Sequence, residues 1–543
     1  MGPPDLLGPG SPAPRRRRGT RTIVLGSVGA LVLAGLGVGG VFAWRAFSNA
    51  GPQPAEALPA STVAYVSLDL DPSGKQKLAA LDTLGKFPGL REDLGLDSDS
   101  DLRQAAFEAA QSAGLCPDLD FADDVEPWLG DRFGVAAIAD VPGATTDFPT
   151  IAAVVQVDDA EAAATALDDL TDCSGGGGYA ISDGWAVIAE NEQLATAVVD
   201  EAADAPLADS EDFRGTTDAA GDPGILNIYV GPGLGDLVAQ AGDLIDSFAA
   251  LACAGQSFAS ADPATDPFGS DVTADATQVC PDGQAAVDGL TSALDSFGGL
   301  AVALRFEDGG IELETASRSG EGGTDPASVY GDRAREYAGD LPSDTALALG
   351  LSLTDGWAQS LLDATGGAGG QFSLDALLPQ LEGLTGLSLP EDAETLLGDG
   401  GAAGIGSDAA ALDSGEPPVG AVIRGDAEAI TGVLDRLLAT TGVDDLTVES
   451  DGDQVVLGAQ GDWVASLREG GDLAGSDAFD DVVVDEDLGA LIFVDFNAGD
   501  WIQDAAEGEE QALDILTKLS AFGLSAWSED GTGHVVAKVT FDD

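Results

Sequence analysis

The chain has 543 residues, with 95 acidic against 22 basic side chains and a formal net charge of −73. A field of that sign repels nucleic acid and anionic headgroups, which excludes both as partners of the bulk of the chain and leaves cations, basic peptides and basic protein faces. One histidine and four cysteines without CxxC spacing argue against a zinc cluster and against a histidine-based triad.

Residues 1–21 are rich in Pro, Gly and Arg and read as a disordered basic arm. Residues 22–44, TIVLGSVGALVLAGLGVGGVFAW, carry no charge and follow Arg15 to Arg18 and Arg21. At about 1.5 Å per residue a helix of this length crosses a hydrocarbon core of about 30 Å. The arginines place the arm in the cytoplasm and everything after Trp44 outside it, so the expected location is the cell membrane, single-pass, with an extracytoplasmic bulk. The run is longer than a signal-peptide core, and Trp44, Arg45 and Phe47 make an interfacial end, which favours an anchor over a cleaved signal. Gly35 and Gly39 form a GxxxG that permits helix pairing, although glycine is common in membrane helices. Residues 45–57 form a Pro-containing stalk.

Beyond the stalk, alternation from Thr62 to Leu70 predicts a strand, and the spacing after Asp71 and Pro72 a helix. The same sequence of motifs then returns in the second half. LPASTVAYVSLDL from Leu58 is answered by LPSDTALALGLSL from Leu341, WLGDRFGVAAIAD from Trp128 by LLGDGGAAGIGSD from Leu396, and DAEAAATALDDL from Asp159 by DAEAITGVLDRL from Asp426. ISDGWAVIAE at Ile181, ADSEDF at Ala208 and GILNIYV at Gly224 have partners at Glu449, Ala474 and Ala490. The offset stays within 264 to 268 over the five middle motifs and drops to 222 between Asp308 and Asp530. Two copies of one domain follow, at 58–319 and 337–543, joined by a linker at 320–336 with a short helix at Tyr330–Tyr337. The drop in offset marks an insertion in the first copy at about 241–284.

Asp-Gly pairs at Asp183, Asp308, Asp451 and Asp530 lie between alternating runs and predict hairpins. The expected fold class is α+β: two tandem homologous domains, each a curved, mainly antiparallel sheet with helices packed on it, after one N-terminal transmembrane helix. In an oxidising compartment four cysteines suggest two disulfides; of the three possible connectivities the favoured one joins Cys116 with Cys173 and Cys253 with Cys280, because the latter two flank one loop-like insertion.

Chemistry is harder to find. His534 sits in a terminal hairpin with no nucleophile beside it in sequence and reads as structural or surface. Asp69 and Asp71 read as strand polarity and helix capping. PSGK at Pro72–Lys75 lacks the first glycine and the Ser or Thr of a phosphate loop. The DSDSD run at Asp97–Asp101 with Glu108 imitates a calcium loop but has Leu102 where that geometry requires glycine, so capping is preferred over calcium. No catalytic, cofactor-binding or metal-binding residue is assigned and no cofactor is expected.

The basic tail, single membrane helix and LPASTVAYVSLDLDPSGKQKL followed by KFPGL at Lys86–Leu90 resemble an actinobacterial membrane-anchored family catalogued as a domain of unknown function, whose members share a PAxxxAYVxLDLDPxxxQK opening. The resemblance implies location and architecture but no activity, and gives Asp69, Asp71 and Lys75 no role. The sequence thus points to a non-enzymatic binding or structural module of the cell envelope, held in the bilayer by residues 22–44 and engaging an envelope protein or a cationic partner. The alternative is a carrier of an apolar ligand or lipid in a sheet–helix cavity lined by Tyr65, Trp185, Tyr229 and Phe493. A carboxylate- or metal-dependent hydrolase is the weakest alternative, because no pair stands out among so many acids.

Overall fold

The computed structural model describes residues 52–69, 119–145, 148–174, 176–234, 297–307, 309–320, 325–366, 374–408, 417–442, 446–499, 501–502 and 516–542, with single positions between 76 and 116. The anchor at 22–44, Asp71, the DSDSD run, Cys253, Cys280 and the insertion lie outside them. No helix of the described residues is long and apolar enough to cross a membrane.

Sixteen strands form one antiparallel sheet. The first eight are β1 (Thr62–Asp69), β2 (Leu129–Ile138), β3 (Thr150–Val157), β4 (Gly178–Ser182), β5 (Trp185–Ala189), β6 (Leu226–Val230), β7 (Phe297–Glu307) and β8 (Gly310–Ser319). The second eight are β9 (Thr345–Ser352), β10 (Gly400–Gly406), β11 (Val419–Arg424), β12 (Thr447–Asp451), β13 (Gln454–Gly458), β14 (Ala490–Asp495), β15 (Leu519–Glu529) and β16 (Thr532–Phe541). Read outward from the β8–β16 pair, the orders are 8-7-6-1-2-3-5-4 and 16-15-14-9-10-11-13-12, the same order with eight added to each number.

The antiparallel α+β architecture agrees with the sequence, but the sequence predicts a sheet in each half and the structure has a single sheet. The reason is that the last hairpin of each half leaves a long strand with a free edge, and pairing β8 with β16 satisfies both edges at once. Glu314 lies opposite Val536, and each is the fifth residue of its strand, so the seam is symmetric about this pair.

Local chemistry explains why the repeated motifs repeat. Thr62 and Thr345 each donate a side-chain hydrogen bond of 2.7 Å to the carbonyl three residues back, at Pro59 and Pro342. Asp159 accepts from the N–H groups of Glu161 and Ala162 at the start of α1 (Ala160–Ser174). Further along the chain lie α2 (Glu192–Asp204), α3 (Glu211–Thr217), α4 (Ala334–Gly339), α5 (Trp357–Gly366), α6 (Leu374–Thr385), α7 (Glu391–Leu397) and α8 (Ala427–Thr441). Asp426 caps α8 as Asp159 caps α1, accepting from Glu428 and Ala429. Two more helices follow, α9 (Gly461–Glu469) and α10 (Asp477–Val482). Ser210 caps α3 and Ser476 caps α10 in the same manner. The Asp-Gly turns at Asp183 and Asp530 form as expected, with φ of 50° and 82° at Asp183 and Gly184 and 48° and 77° at Asp530 and Gly531; at the third hairpin Asp451 ends β12 and the turn is Gly452–Asp453, and Asp308 lies outside the described residues. The helix expected at Tyr330–Tyr337 starts later, as α4, because Tyr330 is held in an isolated bridge to Leu353.

One face of the sheet carries α2 and α3 in the first half and α4, α9 and α10 in the second, with cores around Tyr65, Trp185 and Tyr229 and around Trp463, Phe479 and Phe493. On the opposite face α1 covers Val157 and Ala186. The central strands turn a charge-free face to that opposite side. One cross-strand row runs Leu349, Ile492, Leu524, Ala537, Leu313, Leu304, Leu226, Leu68 and Phe133 without a polar residue. Leu349 and Leu313 in it are 44% and 39% exposed.

The seam also holds a buried ion network. The guanidinium of Arg305, 3% exposed, donates to Glu312 at 2.8 Å, to Glu314 at 2.6 Å, and to the carbonyls of Asp222 and Ala220. Lys538, from the other side of the seam, donates to Glu312 at 2.7 Å. In the first half Arg132 pairs with Asp69 at 3.0 Å and donates to the Pro52 carbonyl, so Asp69 is a structural partner. Cys116 and Cys173 form a disulfide with Cα atoms 5.8 Å apart, as the sequence suggests.

Burial opposes ionisation of Glu312, but the hydrogen bond and charge of Lys538, then those of Arg305, outweigh it and hold the carboxyl below its ordinary value. Its stabilisation is therefore full above the unfolded value of about 4.3 and is lost as pH falls through the lower folded value. Glu312→Gln should cost about 3 kcal/mol at neutral pH and flatten the acid limb of the stability curve, measured by urea unfolding from pH 7 to 3. Removing the Cys116–Cys173 bridge, which spans 57 residues, should cost up to about 4 kcal/mol in the same assay.

Candidate acid-walled cleft

The described cavities of the second half form a two-lobed cleft beside α4. The smaller lobe, 380 Å³, is lined by Tyr337, Asp340, Arg424, Gln454, Arg468 and Gly470 among others. The larger, 600 Å³, is walled by Asp332, Glu336, Asp340, Asp472, Asp485, Glu486 and Asp487, with Arg335 as its one basic lining residue. Asp340 and Gly471 line both, so the lobes adjoin.

The floor depends on close backbone approach. Gly471 donates to the Asp340 carbonyl at 2.7 Å, and a Cβ there would stand 2.5 Å from the Leu341 carbonyl oxygen. Gly470 ends α9 at φ 75°, with its N–H on the Ser466 carbonyl, which suits glycine. Arg468 lies in the last turn of α9, where the helix dipole favours a cation, and bonds Glu449 of β12 at 2.7 Å.

Tyr337 is nearly buried, with the Arg333 guanidinium 4.9 Å and the Arg424 guanidinium 6.0 Å from its ring centre. Burial pushes the Tyr337 hydroxyl above its ordinary value, against the pull of Arg333. Arg333 makes a two-pronged contact with Glu336, at 2.9 and 3.1 Å, and holds that carboxyl low. Arg424 reaches Asp340 at 3.3 Å. Arg335 donates to the carbonyls of Val483 and Val484 and to Asp480, and lies over the Phe479 ring at 5.4 Å, which fixes the loop that carries Asp485 to Asp487.

The wall carboxylates do not converge: among the described residues no group of three or more His, Cys, Asp or Glu could hold a metal ion. Two guanidinium groups at one end and carboxylates at the other suit charge-complementary binding of an extended ligand.

The first half has the same frame without these charges. The Leu207 N–H bonds the Leu58 carbonyl as the Leu473 N–H bonds that of Leu341. Gln156, opposite Trp185 of β5, takes the register place that Arg424 has opposite Gln454 of β13, and the first half begins with a 3-10 turn at Pro54–Ala57 in place of α4.

None of these cleft residues is singled out by sequence reasoning. The available signal is the clustering of Arg333 and Arg335 beside Tyr337 in a chain poor in basic residues, together with the DED run at Asp485–Asp487. The residues that the sequence does single out fall elsewhere. His534 is buried and stacked on Trp527 at 4.8 Å. Tyr65, Trp185, Tyr229 and Phe493 are all at most 4% exposed and belong to the cores, so they line no ligand cavity.

A family model described as a protein of unknown function (DUF3352) matches residues 27–225, so the chain holds a domain of unknown function; the match stops just before β6. No curated protein and no solved structure matches the chain.

Arg335→Ala should release the 483–487 loop: hydrogen exchange should quicken there by about tenfold or more while the β9–β14 amides stay protected.

Proposed function

We propose that the protein is a single-pass, membrane-anchored, extracytoplasmic binding module without enzymatic activity, built from two copies of one eight-strand unit. Its second copy engages a cationic partner of the cell envelope through the cleft. The observation that carries the binding reading is the acid wall of the larger lobe, on a loop pinned by Arg335. Support for duplication comes from the matching strand orders and caps, and support for the anchor from the charge-free run after an arginine cluster.

A second reading, a carrier of an apolar ligand, is favoured by the charge-free row across the central strands, not by the buried aromatics. Ala79 packs on part of that face, against Leu226, Leu304 and Ile311, while Leu349 and Leu313 stay exposed.

Full-length chain should remain with membranes through high salt and leave only with detergent; release by salt alone contradicts the anchor. In detergent it should retain basic envelope proteins at low salt and lose them at 0.5 M NaCl, on the order of the screening set by a Debye length shrinking below ~10 Å. A variant with Asp472, Asp485 and Asp487 changed to Asn should retain few of them. Equal retention by that variant sinks the cleft reading.

A further inference from the structure

We propose that the smaller lobe is a carboxylate pocket, and that the cleft therefore takes the C-terminal end of a basic peptide, its terminal carboxylate on Arg424 and Arg468 and its cationic side chains in the acid lobe. The inference rests on the binding reading above and adds the ligand's polarity.

Arg424 and Arg468 both line this lobe, in a chain with only 22 basic residues. A guanidinium has five N–H donors in a planar fork matched to a carboxylate. Arg424 commits one of them to Asp340 at 3.3 Å, long for a charge-assisted bond, and Arg468 one to Glu449 at 2.7 Å. Among the described residues these are the acceptors recorded for their forks, apart from the flat face that Arg424 turns to Tyr337. Asp340 is 54% exposed, so a ligand carboxylate that displaces it from Arg424 returns it to water at little cost.

The larger field decides which carboxylates can enter. A chain of net charge −73 repels a simple anion, and Asp340 and Glu469 stand at the pocket's edge. A ligand bearing its own positive charges is attracted instead, and the adjoining acid lobe is where those charges settle. The combined requirement is an anion at one end and cations within a few atoms of it. A peptide that ends in lysine or arginine with a free carboxylate meets it.

The test uses full-length chain in detergent and fluorescence polarisation of labelled Gly-Gly-Lys-Lys, as the free acid and as the C-terminal amide. The free acid should bind about tenfold more tightly than the amide. Arg424→Gln should bring the free acid to the level of the amide and leave the amide unchanged. Arg424→Lys keeps the charge over Tyr337 but not the fork, and should give a partial loss for the free acid alone, which separates recognition from misfolding. Equal binding of acid and amide, or an equal loss of both in Arg424→Gln, overturns the carboxylate pocket and leaves the acid-lobe reading standing. Binding of neither peptide at low salt removes both.

Discussion

The pairing of β8 with β16 is the constraint on which the rest of the molecule depends. Each half ends in a long hairpin whose outer strand has a row of backbone donors and acceptors, and each row is satisfied by the other. The charges reinforce this. Glu312 is buried in the first half with Arg305 beside it, and its second oxygen is met by Lys538 from the other half. A buried network of this kind contributes more to register than to net stability, because a shift of one residue would strand Lys538 and both carboxylates in a dry strand layer.

On this common frame the two halves differ in what they present. The capped helices, the proline turns and the Leu58 and Leu341 carbonyl contacts are shared, yet among the described residues the charged cleft is seen in the second half. Gln156 and Arg424 hold the same register place in equivalent strands, so a single position separates a neutral strand end from the cationic end of the cleft. The difference lies in side chains mounted on one strand order, which is why the frame by itself names no ligand.

Much of the frame was legible in the letters, for physical reasons that act locally. Asp-Gly turns, Asp159 and Asp426 caps and alternating runs each determine their own few residues, and the constant offset between motifs needs no tertiary knowledge. The Cys116–Cys173 bridge also followed from counting. What was not legible depends on contacts across the chain. The joining of two sheets into one is set by edges far apart in sequence. The cleft is assembled from α4, β11, the end of α9 and the 485–487 loop, segments separated by scores of residues. The aromatic residues that sequence reasoning gathered into a ligand cavity are instead the packing of two cores, since alternation reveals which face a side chain takes but not whether that face is filled.

The placement of Glu314 at the centre of the seam has a further effect on assembly. Were two molecules to pair their β8 strands in the same alignment, Glu314 of one would confront Glu314 of the other, and each Glu312 would lose the lysine that β16 supplies. Crossed dimers of that kind are thereby penalised, and the chain is steered to close upon itself even when many copies crowd the same surface.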